Sequence, residues 1–159
     1  AGRATTSMVI NSRHTIVDHT WIWRADHGTG IGWDTNRADH GLVVNGDDVL
    51  CTGLFVEHFN KYDVQWYGER GRTIFFQNEK AYDAPDQAAV QNGPVKGYAA
   101  YKVGPDVTTH EAGAWAATAT TTSTRRSSST TVSSPRPARA SVSTTCWSCP
   151  WAATASTNT

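Results

Sequence analysis

The sequence lacks several features that would assign a class of protein at once. Its 159 residues contain no apolar run near the roughly 18 residues that a membrane-spanning helix needs. Basic and acidic residues balance at 14 each, so we expect neither nucleic acid nor an anionic membrane as a partner. No initial methionine and no basic-then-apolar leader is present, so we expect a processed product or a fragment.

Cysteine is also scarce, with three in the chain. Cys51 stands alone in a strand-like segment, where we expect it to fill apolar space. Cys146 and Cys149 form a CxxC motif, but no second ligand pair and no βαβ pattern accompanies it, so we expect no redox or zinc site there. The acidic and histidine residues between 24 and 41 match no known metal-loop spacing. We therefore predict no metal and no cofactor.

Aromatic residues are abundant by contrast, with seven Trp and five Tyr. In a strand, Trp21 and Trp23 point to one face and Ile22 points to the other. That aromatic face is either a layer of the core or a platform on which sugar rings stack.

Residues 42–83 contain two copies of one pattern. In each copy an apolar pair precedes a polar turn, a second apolar run follows, and a carboxylate ends the copy, at Glu57 and then at Glu79. The separation of 79 − 57 = 22 residues lies in the range of one coil of a β-solenoid. No convincing amphipathic helix pattern occurs in the chain, and the short strands and turns predict an all-β fold.

The coil spacing has a chemical consequence. Strands of stacked coils lie roughly 4.8 Å apart, so residues one coil apart are neighbours on one surface, and Glu57 and Glu79 are predicted to be such neighbours. Two carboxyl groups held together do not both ionise easily, and a carboxylic acid that keeps its proton near neutral pH suits glycoside cleavage. The alternative is that both are solvated residues at strand ends.

Two turn-rich segments interrupt the repeat, at residues 24–41 and 80–97. We predict that both are insertions between coils, which often build the binding surface of a solenoid. The second insertion follows Glu79 directly and would wall one side of a cleft around it. Residues 98–109 are predicted to form the next, weaker coil, with His110 and Glu111 in the place that Glu57 and His58 occupy earlier.

Several segments together resemble glycoside hydrolase family 55 over residues 11–111. They are HTWIWRADHG, GLVVNGDDV, GLFVEHF, FFQNEKAYDAP and NGPVKGYAAYKV, and the most specific elements are VEH and NE with their 22-residue separation. The resemblance implies a right-handed parallel β-helix of the pectin-lyase-like kind. It also implies a secreted, exo-acting enzyme that hydrolyses β-1,3-glucan with inversion. Glu79 matches the position of the general acid, and Glu57 matches a second carboxylate that assists it.

The chain departs from this family in length. Family members are several times longer, and two β-helical domains form their cleft. Inverting glycosidases keep acid and base roughly 6.5–9.5 Å apart, which is more than adjacent coils allow, so Glu57 is a poor candidate for the base. We therefore expect the chain to need the remainder of such an enzyme and to be inactive alone. The alternative is a non-catalytic polysaccharide-binding β-helix module or an inactive gene fragment.

Four further residues are candidates for binding the glucan. His58 is expected to bond a sugar hydroxyl or to serve as a structural histidine, and Trp66 to stack on glucose or, preferably, to pack in the core. Tyr82 is a second candidate for stacking. Gln77 shares a strand face with Glu79 and is a candidate for orienting the acid or a hydroxyl. Asn45 is expected to join a ladder of stacked Asn side chains at a solenoid corner.

Composition divides the chain into residues 1–112, a partial β-helix, and residues 113–159, which are rich in Ser, Thr, Ala, Arg and Pro. The second part has too few aliphatic residues to offset chain entropy, so we predict a disordered tail. It is either a linker or an out-of-frame translation.

Overall fold

The computed structural model describes residues 2–118, and this part of the chain is built from strands and turns, with no helix. Accordingly, no helix in it could cross a membrane. The eight strands are β1 (Ala4–Ile10), β2 (Ile16–Trp23), β3 (Ala38–Val44), β4 (Leu50–Glu57), β5 (Val64–Trp66), β6 (Gly71–Glu79), β7 (Tyr101–Val103) and β8 (His110–Thr118).

The strands form two parallel sheets, in the orders β1-β3-β5-β7 and β2-β4-β6-β8. Each pair of consecutive strands therefore makes one coil, which adds one strand to each sheet. Every strand pair in both sheets is parallel. The prediction of an all-β parallel β-helix is confirmed.

The coils differ in length because insertions separate them. Along the second sheet, Ile16 pairs with Leu50, Glu57 with Glu79 and Gly71 with His110, which are steps of 34, 22 and 39 residues. The longer steps contain residues 24–37 and 80–100, close to the two insertions predicted from composition.

A stack of left-handed residues bends the second sheet. His19, Gly53, Phe75 and Ala114 all have positive φ, between 46° and 61°. The register skips all four, since the residues on either side of each one are paired and the residue itself is not. Because side chains rarely adopt this conformation, neighbouring coils impose it on one another. The bend resets strand alternation, so the side chains that face outward after it differ from those that simple alternation along the whole strand predicts.

The interior between the sheets holds the core. Its completely buried members include Leu42, Val44, Cys51, Leu54, Val56, Val64, Trp66 and Phe76. Cys51 fills apolar space as predicted, and burial raises the pKa of its thiol to about 12. The Asn ladder at the corner is confirmed as well, because Asn45 Nδ2 donates to Asn11 Oδ1 at 2.8 Å.

Trp66 requires a correction as a candidate for stacking on glucose. Its side chain is 0% exposed and stacks on Tyr101 with ring centroids 6.1 Å apart. A Cβ added at Gly71 would overlap the same indole, so the core closes tightly around it. Trp66 therefore packs in the interior, and no surface ligand can reach it.

The last described coil also differs from the prediction. His110 pairs with Gly71, and the register partner of Glu79 is Thr118, so His110 and Glu111 do not occupy the place of Glu57 and His58. β8 also crosses the predicted boundary between residues 112 and 113. The residues around Trp115 in this strand are small, and Trp115 anchors the strand to the core by packing edge-on against Phe76. The predicted disordered tail beyond, with Cys146 and Cys149, lies outside the described residues.

Candidate active site

Two ladders of outward-facing side chains follow the bend in the second sheet. One ladder contains Trp23, Glu57 and Glu79, and the other contains Trp21, Phe55 and Gln77. Glu57 and Glu79 are direct register partners on adjacent parallel strands, which confirms that the two carboxylates are neighbours on one surface. Gln77 lies on the face of Glu79, as alternation predicted.

The two carboxylates differ in their surroundings. Glu57 is only 8% exposed, and its Oε2 accepts a hydrogen bond from Trp21 Nε1 at 2.9 Å. The side chain of Glu79 is 43% exposed. A ligand on this surface can therefore reach Glu79 directly, whereas neighbouring side chains cover most of Glu57.

Backbone and ion-pair contacts fix the strand ends that carry the carboxylates. His58 N donates to Glu79 O at 2.8 Å. Lys80, the next residue after Glu79, places Nζ 2.8 Å from Asp63 Oδ2, and Asp63 is completely buried. Burial raises the pKa of Asp63, and the charge of Lys80 opposes that rise. This buried pair holds the end of β6 beside the interior.

His58 lies between the carboxylates and the first insertion. Its Nε2 is 3.3 Å from Glu79 Oε2, and its Nδ1 is 3.3 Å from Asp26 Oδ2. Trp23 Nε1 donates a hydrogen bond to the same Nδ1 at 3.1 Å. The side chain is buried, and every one of its polar atoms already faces a protein group, so His58 is placed for contact with Glu79 rather than with a sugar.

Asp26 and Tyr82 come from the two insertions and meet at this histidine. Burial acts to raise the pKa of Asp26, but the hydroxyl of Tyr82, then His27 and the charge of His58 hold it below its ordinary value. The hydrogen bond to Asp26 raises the pKa of Tyr82. Tyr82 packs edge-on against His58 with ring centroids 5.5 Å apart and is half-exposed.

A buried arginine joins the insertions to the strand ends. Arg24 donates through Nε to the carbonyl of His58 and pairs with Asp83, and its guanidinium lies 5.7 Å from the ring centre of Trp33. Arg24, Asp26 and Asp83 are not evident as site residues from the sequence, because it is the folding of both insertions that brings them to His58.

An aromatic platform flanks the carboxylates. Trp21 and Trp23 stack with ring centroids 5.5 Å apart and are 63% and 39% exposed, so this face is open to solvent and is not a layer of the core. Gln77 Oε1 is buried and makes no hydrogen bond to any described residue.

This surface brings groups that can carry out acid–base chemistry together with exposed aromatic rings. In the described residues, no group of three or more His, Cys, Asp or Glu side chains converges as a metal site would. An exposed carboxyl group, a buried carboxylate beneath it and an imidazole alongside can hold, donate and stabilise a proton. Exposed indoles suit the apolar face of a sugar ring.

Comparison with known proteins shows which proteins this chain resembles. Residues 1–79 match the model of the LAM55 pectate lyase-like domain. The chain is 76% identical over 110 residues to an exo-beta-1,3-glucanase of Streptomyces sp. (strain SirexAA-E / ActE); the match covers 69% of this chain and 18% of the relative. The chain thus spans under a fifth of that protein.

Solved structures give the same result. The structure of sacteLam55A from Streptomyces sp. SirexAA-E matches with a TM-score of 0.70 and 71% identity, over 73% of this chain and 22% of that one. A glutamate-to-alanine variant of sacteLam55A in complex with glucose matches with a TM-score of 0.70 and 70% identity, over 73% and 21% of the two chains. These findings confirm the resemblance of this chain to glycoside hydrolase family 55.

Proposed function

We propose that this chain is the acid-bearing segment of a secreted glycoside hydrolase that cleaves β-1,3-glucan from a chain end with inversion. The observation that carries the proposal is the pairing of Glu57 with Glu79 in register, with Glu79 open to a ligand beside two exposed tryptophans. The similarity to an exo-beta-1,3-glucanase supports the choice of glucan.

Glu79 is the general acid in this proposal and donates its proton to the glycosidic oxygen. Glu57 assists from beneath, where Trp21 holds its carboxylate. Adjacent strands separated by roughly 4.8 Å leave too little room for the water that an inverting base activates at roughly 6.5–9.5 Å. The groups that position this water therefore come from the remainder of the enzyme, and the chain alone is inactive.

The glucan contacts follow from exposure. Trp21 and Trp23 supply the stacking face next to Glu79, and Tyr82 borders it from the second insertion. Gln77 shares the outer face with Glu79, and its side chain must turn outward before its buried, unpartnered Oε1 can accept a hydrogen bond from a sugar hydroxyl.

A chimera tests the proposal, with residues 2–112 of this chain replacing the corresponding segment of the Streptomyces exo-beta-1,3-glucanase. We expect Glu79→Gln to lower laminarin hydrolysis by roughly 10²- to 10⁴-fold and to leave laminarin binding intact, since it removes only the proton donor. The matched control is Glu111→Gln, because Glu111 is an exposed glutamate of the same sheet, paired with Arg72. Equal hydrolysis by both variants would refute the enzyme assignment.

The second candidate is a polysaccharide-binding module without catalysis. The exposed tryptophan pair favours it, since a stacking face binds glucan whether or not hydrolysis follows. In this case the chimera would bind laminarin through Trp21 and Trp23, and Glu79→Gln would change neither binding nor turnover.

A further inference from the structure

His58 is enclosed by protein groups on all of its polar sides. His58 as a whole is 4% exposed, and its ring faces Trp23, Asp26, Tyr82 and Glu79. Nε2 makes no hydrogen bond to any described residue, yet it lies 3.3 Å from Glu79 Oε2, close enough for one when the carboxyl group turns slightly. The geometry therefore directs His58 toward the acid.

The neighbours of Nδ1 determine where the ring carries its proton. Trp23 Nε1 has only a proton to donate, so in this arrangement Nδ1 accepts and the proton of a neutral ring sits on Nε2, facing Glu79. Asp26 Oδ2 is 3.3 Å from the same Nδ1 and pairs with it once that nitrogen is protonated. Both arrangements keep an N–H group on the Glu79 side.

We propose that His58 and Asp26 are positioning residues for Glu79: the Nε2–H of His58 orients the acid and stabilises the carboxylate left after proton donation, and Asp26 stabilises the imidazolium form. This inference rests on the proposed function of Glu79. In the step itself, the O–H bond of Glu79 breaks and its proton goes to the glycosidic oxygen, which also takes the electrons of its broken bond to the anomeric carbon. A water positioned by the remainder of the enzyme forms the new bond at that carbon and gives its proton to a base there. His58 keeps its proton and donates a hydrogen bond to the new anion.

The backbone around His58 supports a fixed ring position. His58 has a φ of 65°, and its N–H and carbonyl are held by Glu79 O and by the Arg24 side chain. A left-handed conformation at a non-glycine residue persists only where its surroundings impose it. The remaining charged groups nearby are Glu57 next to Glu79, His27 on Asp26, and the pair formed by Arg24 and Asp83.

The test uses the same chimera with His58→Asn, Asp26→Asn and a matched control, His19→Asn. Asparagine tolerates the left-handed backbone of both histidines. His19 Nδ1 lies 2.7 Å from Asp18 Oδ1 in an exposed pair, which is not part of the carboxylate ladder. Activity is measured across pH on a laminarioligosaccharide and on an aryl β-glucoside whose phenol leaves without protonation.

We expect His58→Asn to lower kcat on the oligosaccharide by roughly 10- to 100-fold, with KM little changed and with a much smaller loss on the aryl glucoside. Asp26→Asn should act in the same direction, more weakly. The alkaline limb of the kcat profile should move to higher pH in His58→Asn, because the Glu79 carboxylate loses its donor there. The control should keep parental kinetics.

A rise in the KM of His58→Asn on both substrates, with an unshifted pH profile, would indicate that His58 is a sugar ligand and would overturn the inference. Parental kinetics in His58→Asn would overturn it as well. The proposed function fails in a different way. In that case the unsubstituted chimera is inactive, or the Glu79→Gln variant hydrolyses laminarin as fast as the unsubstituted chimera. Either result is independent of the residue at position 58.

Discussion

Lys80 provides a direct test of how the fold holds the candidate acid, because it follows Glu79 and ends in a buried ion pair. Its Nζ lies 2.8 Å from Asp63 Oδ2 and donates to Lys61 O, also at 2.8 Å. Asp63 is completely buried and accepts through Oδ1 from Phe59 N. Lys80→Met keeps most of the side-chain length and removes the charge together with the hydrogen bonds to Asp63 and Lys61 O.

Removing one partner of a buried pair costs about 3–5 kcal/mol, because the other charge is left unpaired in the interior. Lys80 is 27% exposed, so solvent already screens part of the interaction, and we expect a loss near the lower limit, about 3 kcal/mol. Urea unfolding of the full chain at pH 7, followed by tryptophan fluorescence, measures this loss.

The loss should depend on pH. Burial raises the pKa of Asp63 and Lys80 opposes that rise, so the pKa increases further in the variant. The folded variant then holds a proton that the unfolded chain, with an ordinary pKa near 3.9, releases. Its stability therefore falls as pH rises above about 4, and its deficit against the parent shrinks on acidification.

Lys61→Met is the matched control. Its Nζ lies 2.8 Å from Asp39 Oδ2, the same distance as in the buried pair, but both side chains are partly exposed. We expect a loss of less than about 1 kcal/mol, typical of solvated pairs. Equal losses in the two variants, or a deficit in Lys80→Met that does not shrink toward pH 4, would refute the reasoning.

Two further predictions concern the core. Burial lowers the pKa of His110 to about 4, below its unfolded value near 6.5. The free energy of unfolding should therefore be highest above pH 6.5 and fall by about 3 kcal/mol toward pH 4. Urea titrations of His110→Gln should show a flatter dependence on pH. Gly71→Ala should cost about 1–3 kcal/mol in thermal unfolding because its Cβ overlaps Trp66, whereas Gly113→Ala, with open space at its Cβ, should be nearly neutral.

The sequence predicted those parts of the fold that depend on one regular step. The 22-residue spacing placed Glu57 beside Glu79, and alternation placed Gln77 on the same face, since no insertion separates those coils. The steps of 34 and 39 residues include loops, and the periodicity of the sequence does not specify at which residue the next strand begins after each loop. The register of His110 was wrong for that reason.

The neighbours of His58 could not be predicted for a related reason. Asp26, Tyr82 and Asp83 lie in the two insertions, and their positions depend on how each loop folds back over the strand ends. The sequence signal was present but incomplete. A histidine directly after the first carboxylate, with acidic residues in both flanking insertions, indicates a polar cluster without saying which side chain meets which.

The exposure of Trp21 and Trp23 depends on the bend at His19. Strand alternation carried backward from Trp23 would put Val17 on the outer face with the tryptophans, yet Val17 is buried while both tryptophans face solvent. The left-handed residue shifts the alternation by one, and the same shift recurs at Gly53 and Phe75. The bend in every coil thus lets one sheet bury a continuous core and still present Trp23, Glu57 and Glu79 together on its outer face.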